Sequence, residues 1–505
     1  MNDGEPRLER LATGIPGLDK ILHGGFVREG IYIVQGNPGS GKTVLGNQLC
    51  FHHVRSGGKA VFVTLLAESH ARMLLNIRGF DFFDESVIPE GLNYVSALSA
   101  LESDGLPGLL DLIRREVRNR KASLLVIDGL VVAEESADSV LDLKKFIHEL
   151  QSHSALLGCT TFLLGSSTPG VRPERTMVDG LIELTDVMFG SLRERRFELV
   201  KHRGSGYLRG QHAYEITDAG IELHPRLESL LSRPSRKDSA GTRRISTGIV
   251  GLDAMLGGEG LPAASSTMLL GPPGAGKTST GLHFLSQCSA AEHGVYLSFF
   301  ETPERAAEKA QQLGLQLHAQ LERGIVRYLW RPTTENILDS VGNELIRVTE
   351  DPLVKRVFID GLDGLRRAAV DRSRLIPFVT AVVNELRCRG ISTLYTEEAR
   401  TSLGPEIEAP PAGISAVLEN WIALRFTEIG SRLRRLISVL KVRDSGFDPI
   451  VREFELTDHG IIVGDPVAIG SITAAEADSD APAPRARSSS RPPPSRPKPT
   501  RRNKP

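Results

Sequence analysis

Apolar and polar positions along this chain follow two rhythms. Compact apolar runs at 31–35, 60–66, 123–128 and 159–165 have the length and β-branched content of strands, and the stretches 42–56, 71–78 and 139–152 between them repeat with helical spacing. Strands that alternate in this way with helices predict a mainly parallel sheet covered by helices on both faces. Ligands of such sheets gather at the carboxyl ends of the strands, so the chemistry is sought there.

The pattern occurs twice. Residues 13–19 (TGIPGLD) return as 247–253 (TGIVGLD), each followed by a Gly-Gly pair, and residues 124–130 (LLVIDGL) return as 356–362 (RVFIDGL). A closing pair, 197–203 (FELVKHR) with 216–221 (ITDAGI), is matched by 437–443 (ISVLKVR) with 456–461 (LTDHGI). Landmarks repeated in one order mark an internal duplication. The reading divides the chain into a first domain over 1–231, a short polar linker over 232–244, a second domain over 245–465 and a tail over 466–505. The end of that tail is Pro, Arg and Ser with almost nothing apolar, so it is expected to be disordered.

Between the first two landmarks of each half stands G-x-x-x-x-G-K-[ST], as 36–43 (GNPGSGKT) and 271–278 (GPPGAGKT), behind an apolar run and ahead of a helical one. The type and spacing of these residues suit a phosphate cradle. Gly36, Gly39, Ser40 and Gly41, with Gly271, Gly274, Ala275 and Gly276, let backbone N–H groups curl around an anion. Lys42 and Lys277 reach the β- and γ-phosphates, and the hydroxyls of Thr43 and Thr278 take Mg²⁺. Asp128 and Asp360 end apolar strands, where a carboxylate with no metal to face would be costly to bury, and they are expected to orient Mg²⁺ or its waters. The expected ligands are therefore ATP and Mg²⁺.

Hydrolysis further needs a carboxylate to position water. Gly129 and Gly361 follow the strand-end aspartates, so the candidates are Glu68 and Glu301, after the strand that follows each P-loop helix; the rival reading has them cap the next helix. Positive charge for the γ-phosphoryl oxygens is sought in Lys201 and Arg203, and in Lys441 and Arg443. These alternate on a predicted strand far along the chain from their own P-loop, and so suit a finger that reaches a neighbouring copy, or else a solvated strand edge.

Composition narrows the field. The net charge is −1, yet residues 481–505 hold eight Lys and Arg and no acidic residue, which leaves the rest of the chain at −9. An acidic body argues against a nucleic-acid groove and hence against a DNA recombinase. The four cysteines, Cys50, Cys159, Cys288 and Cys388, show no C-x-x-C spacing, and no apolar run is long enough to cross a membrane. A cytoplasmic protein with reduced thiols is expected.

These motifs together resemble the KaiC family of RecA-like ATPases over residues 8–228 and 243–465. The resemblance implies two tandem RecA-like P-loop domains and a homo-oligomer in the form of a hexameric double ring, with ATP between subunits and the K-x-R residues contacting it across the interface. It also implies protein partners that respond to the state of the ring. The family's two consecutive glutamates are here Ala67-Glu68 and Phe300-Glu301, the first half matching only with one inserted residue. The family's second-ring autophosphorylation site, a Ser-Thr pair, is matched by Ser415 and Ala416, and Asp444 replaces the Gly that follows K-x-R. A slow ATPase is therefore expected first, single-site autophosphorylation on Ser415 second, and a non-hydrolysing, ATP-dependent assembly module third.

Overall fold

The computed structural model describes residues 8–66, 70–166, 174–236, 243–334, 336–399, 413–429, 432–443 and 445–467. Glu68, Asp444 and the Pro- and Arg-rich tail lie outside them. The first half builds a sheet of β1 (Ile31–Gly36), β2 (Ala60–Thr64), β3 (Leu92–Ser96), β4 (Leu124–Asp128), β5 (Thr160–Gly165), β6 (Gly180–Phe189), β7 (Leu192–His202), β8 (Gln211–Thr217) and β9 (Gly220–His224). The second half repeats it with β10 (Ser266–Gly271), β11 (His293–Ser298), β12 (Val326–Trp330), β13 (Val354–Asp360), β14 (Ser392–Glu398), β15 (Asn420–Ile429), β16 (Arg432–Lys441), β17 (Arg452–Thr457) and β18 (Gly460–Pro466).

Across the first sheet the order is β3-β2-β4-β5-β1-β6-β7-β8-β9, and across the second β12-β11-β13-β14-β10-β15-β16-β17-β18. The two orders are identical once each label is shifted by nine. Strands β3 through β6 in that order run parallel, while β7, β8 and β9 complete the sheet antiparallel, and the second half does the same. Each sheet is therefore mixed, a parallel body with an antiparallel flank.

The central strands β1, β2, β4 and β5 are buried at every residue, as parallel strands covered on both faces must be. Their period of two divides them between two cores. Tyr32, Val34, Phe62, Val126 and Phe162 pack on one face of the sheet, and Ile31, Ile33, Val61, Ile127 and Leu163 on the other. The result is a rigid sheet whose carboxyl edge can hold side chains in fixed register.

Two elements differ from the expectation. Strand β3 (LNYVS) is short and half polar, and the helical segment Leu98–Arg120 is broken at Gly105 (φ 63°, ψ −156°) two residues before Pro107, so neither carries a clean periodic signal. The helix expected over 139–152 spans Val140–Leu157, with Ser139 capping its start and Gly158 in the left-handed conformation closing it.

The segment after β9 packs against the second half. In the helix Leu227–Leu230, Leu227 is fully buried in the core formed with β11 and β13, and its N–H donates to Asp339 Oδ1 at 3.1 Å. Arg374 donates to Glu228 at 2.8 Å and to the fully buried Asp339 at 2.8 Å, and Ser235 donates to Glu385. The halves are thus joined by an apolar plug inside a shared ion-pair cluster.

Candidate nucleotide site

Each P-loop runs from the end of the first strand of its sheet into a helix, Lys42–Arg55 after β1 and Lys277–Ser286 after β10. The helix N-caps are Gly41 at φ +87° and Gly276 at φ +104°, a conformation that favours glycine and turns the loop back over the first helical N–H groups. Each lysine folds onto its own loop. Lys42 Nζ donates to Gly36 O at 2.7 Å and Asn37 O at 3.0 Å, and Lys277 Nζ to Gly271 O at 2.6 Å and Pro272 O at 2.9 Å. Burial lowers both lysine pKa values, against the pull of Asp128 in the first half and of Glu398, Asp360 and Glu397 in the second. Ser40 and Ala275 are buried under the loop, and Tyr214 OH donates to Ser40 O at 2.6 Å. A cleft of about 490 Å³ opens over the first loop, lined among others by Gly39, Lys42, Thr43, Leu66, Asp128 and Ile216.

The strand-end aspartates meet the loop threonines. Thr43 Oγ1 donates to Asp128 Oδ2 at 2.7 Å, and Thr278 Oγ1 to Asp360 Oδ2 at 2.9 Å. One strand stands between donor and acceptor in each sheet, β5 in the first and β14 in the second, so the pair spans the sheet's carboxyl edge. A hydroxyl and a carboxylate are the hard oxygen donors that Mg²⁺ takes, and Mg²⁺ keeps waters on most of its positions. No cage of three or more His, Cys, Asp or Glu occurs among the described residues.

The second site carries groups that the sequence reading missed. Asp360 Oδ2 also accepts from Tyr296 OH at 3.1 Å, and Oδ1 accepts from Thr396 Oγ1 at 2.7 Å. Burial pushes the Asp360 carboxyl up, opposed by these hydroxyls. Beside it, Glu397 is raised by burial and opposed by Arg366, which donates to it at 2.8 Å. Register places Phe62, Leu164 and Gly165 at the corresponding points of the first sheet. The signal was a Tyr and a Thr-Glu-Glu ending where the first half has Phe and Leu-Gly-Ser.

Glu301 lies three residues past β11, and its Oε1 accepts from Lys309 Nζ at 2.6 Å, while the buried Oε2 has no hydrogen-bond partner among the described residues. It does not cap the following helix Pro303–Gln312, because Thr302 does, accepting from Arg305 N. Glu301 is also held by its backbone, whose carbonyl accepts from Tyr328 OH at 2.8 Å.

The K-x-R residues stand elsewhere. β7 and β16 end at His202 and Lys441, so Arg203 and Arg443 occupy the turn beyond the strand and do not alternate with the lysines on it. The pairs still converge: Lys201 Nζ donates to Thr176 O at 2.9 Å and Arg203 to the same oxygen at 2.8 Å, closing the short helix Glu174–Met177. Lys441 donates to Leu418 O at 3.0 Å, and Arg443 pairs with Glu419 at 3.5 Å. On β6, Lys201 faces Leu181 and Gly36 faces Leu184, so Lys201 is set back from the P-loop by about 10 Å along the strand. Its head group turns toward the amino edge of the sheet. Arg10 fixes this turn through Ser205 at 2.7 Å, and Arg244 reaches Ser445 in the same way in the second half. Ser415 lies in the helix Ile414–Val417, its side chain outside the described residues.

A P-loop on the central strand, a strand-end Asp one strand removed from it and an antiparallel flank define tandem RecA-like P-loop ATPase domains. The family model for the KaiC ATPase matches residues 11–228 and 245–468. The chain belongs to the KaiC family. It is similar to the circadian clock oscillator protein KaiC of Picosynechococcus sp., at 25% identity over 91% of this chain and 90% of the relative. Proteins of the same name from Thermostichus vulcanus (26%, 91% of this chain and 89% of the relative) and Synechococcus elongatus (25%, 92% and 91%) match over similar spans.

Proposed function

We propose that the chain is a Mg²⁺-dependent ATPase that assembles with copies of itself into a hexameric double ring, turns ATP over slowly and gates contacts with other proteins by its nucleotide state. The reading is carried by the twice-built arrangement of a lysine ammonium folded onto P-loop carbonyls beside a threonine hydroxyl bonded to a strand-end aspartate. Loop N–H groups would receive the phosphates, and Lys42 or Lys277 would exchange its carbonyls for phosphate oxygens. Thr43 with Asp128, and Thr278 with Asp360, would hold Mg²⁺, which supplies charge neutralisation at the phosphate oxygens. Glu301 would position water for in-line attack after releasing Lys309, with Glu68 assigned the same task in the first half. Because Lys201, Arg203, Lys441 and Arg443 are directed away from their own P-loops, the cation at the γ-phosphate would come from a neighbouring copy. The four free, buried cysteines suit the cytoplasm, where we place the protein.

The Glu301–Lys309 ion pair also favours a second reading, in which ATP joins subunits and is barely hydrolysed. Purified protein incubated with ATP and Mg²⁺ separates the readings when followed for released phosphate, intact mass and assembly size. Phosphate release with unchanged mass is expected. Assembly with an ATP analogue that resists hydrolysis, alongside background turnover, would favour the second reading. A stable mass gain that disappears in Ser415→Ala would make it an autokinase.

A further inference from the structure

We infer that Tyr296, at a position where the first half has Phe62, is a positioning residue of the second nucleotide site, holding Asp360 for its divalent cation and coupling it to Glu301. The inference rests on the nucleotide reading of that site. Tyr296 OH donates to Asp360 Oδ2 at 3.1 Å, the same oxygen that accepts from Thr278. Its ring is fully buried against Phe358 at 4.8 Å and Tyr328 at 4.5 Å between centroids, so the hydroxyl has little freedom to leave. Thr396 holds the other oxygen at 2.7 Å while accepting from Gly361 N at 2.7 Å, which locks the carboxylate plane from both sides.

Tyr328 extends the arrangement. Tilted at 54° against Tyr296, it donates to the Glu301 carbonyl at 2.8 Å, so one aromatic pair ties the metal-facing carboxylate to the segment that bears the candidate base. In the first half Phe62 and Leu164 stand at the positions of Tyr296 and Thr396 and have no hydroxyl to offer. Tyr94, which faces Phe62 as Tyr328 faces Tyr296, donates instead to Asn47 on the P-loop helix at 2.7 Å. The halves therefore share a P-loop and differ in what orients the aspartate behind it. Partners that orient a metal's ligands commonly change affinity or activity by about 10- to 100-fold when removed.

The test uses the full chain carrying Lys42→Ala, which silences the first site, with Mn²⁺ as a paramagnetic probe titrated in the presence of ADP. One Mn²⁺ per chain is expected in this parent protein. Adding Tyr296→Phe, which keeps the ring and its aromatic contacts, should weaken Mn²⁺ by about tenfold, leave the melting temperature of the ligand-free protein unchanged and raise the Mg²⁺ requirement of turnover more than it lowers kcat. Thr396→Val should act in the same direction and Thr396→Ser should retain parent affinity. Unchanged Mn²⁺ affinity in both Tyr296→Phe and Thr396→Val would overturn the inference while leaving the nucleotide reading intact. No Mn²⁺ binding by the parent would overturn the reading of the second site and the inference with it.

Discussion

Lys309 and Glu301 form an ion pair that the proposed mechanism would have to break before water is positioned. With its ammonium 2.6 Å from Oε1, Lys309 occupies the oxygen that an attacking water would need in the proposed mechanism. Replacing Lys309 with Met is predicted to raise second-site phosphate release severalfold in the Lys42→Ala protein, and Glu301→Gln to lower it by about 100-fold, the scale of a lost general base. Equal rates in Lys309→Met and its parent would remove Glu301 from the mechanism. At this scale the sequence pointed to the residues whose type states their chemistry: Lys42, Thr43 and their second-half counterparts by motif spacing, and Asp128 and Asp360 by the ends of their strands. Lys309, Tyr296 and Thr396 were not legible, because a lysine on a helix and hydroxyls on strands acquire a role only when register sets them beside a carboxylate.

At the scale of elements, the helix Leu227–Leu230 joins the halves, and two residues, Leu227 in it and His212 bonded to the backbone just before it, carry measurable weight. Leu227→Ala should destabilise the protein by about 3 kcal/mol, read as a lower denaturant midpoint, because it empties a fully buried site in the second half's core. His212 is fully buried on β8, accepts from Arg226 N at 2.9 Å through Nδ1 and bonds Leu208 O at 3.1 Å through Nε2. The Nδ1 contact requires the neutral ring, whereas the Nε2–H bond to Leu208 would survive protonation, and burial lowers the pKa to about 4. An unfolded imidazole titrates near 6.5, so between about pH 6.5 and pH 4 the unfolded chain binds more protons. The stability associated with neutral His212 is whole above that window and is lost as pH falls through it, by up to about 3 kcal/mol. His212→Gln should flatten the fall in melting temperature across this range; an identical pH profile would contradict the assignment. Elements with a clean period were readable from the chain. The segment Leu98–Arg120 was hidden by its own Gly105 and Pro107, and the K-x-R motif was misplaced by the end of its strand, which sequence spacing does not mark.

The whole molecule is one design used twice and then furnished differently. Strand order, P-loop, strand-end aspartate and the arginine that ties the opening segment to the K-x-R turn all repeat, whereas Asp360 alone stands among Tyr296, Thr396 and the Glu397–Arg366 pair. The duplication was legible because each landmark is a short motif with a fixed job. The specialisation was not, because it lies in substitutions scattered over two strands and a helix that meet only at the sheet's carboxyl edge. The measurement that reaches the central claim most directly is phosphate release from ATP by the parent chain, Lys42→Ala, Lys277→Ala and the double variant, with bound nucleotide counted in each. The parent should bind two nucleotides per chain, each single variant one, and the double variant none, with its turnover reduced to background. Turnover and occupancy that survive in the double variant would contradict the assignment of both P-loops.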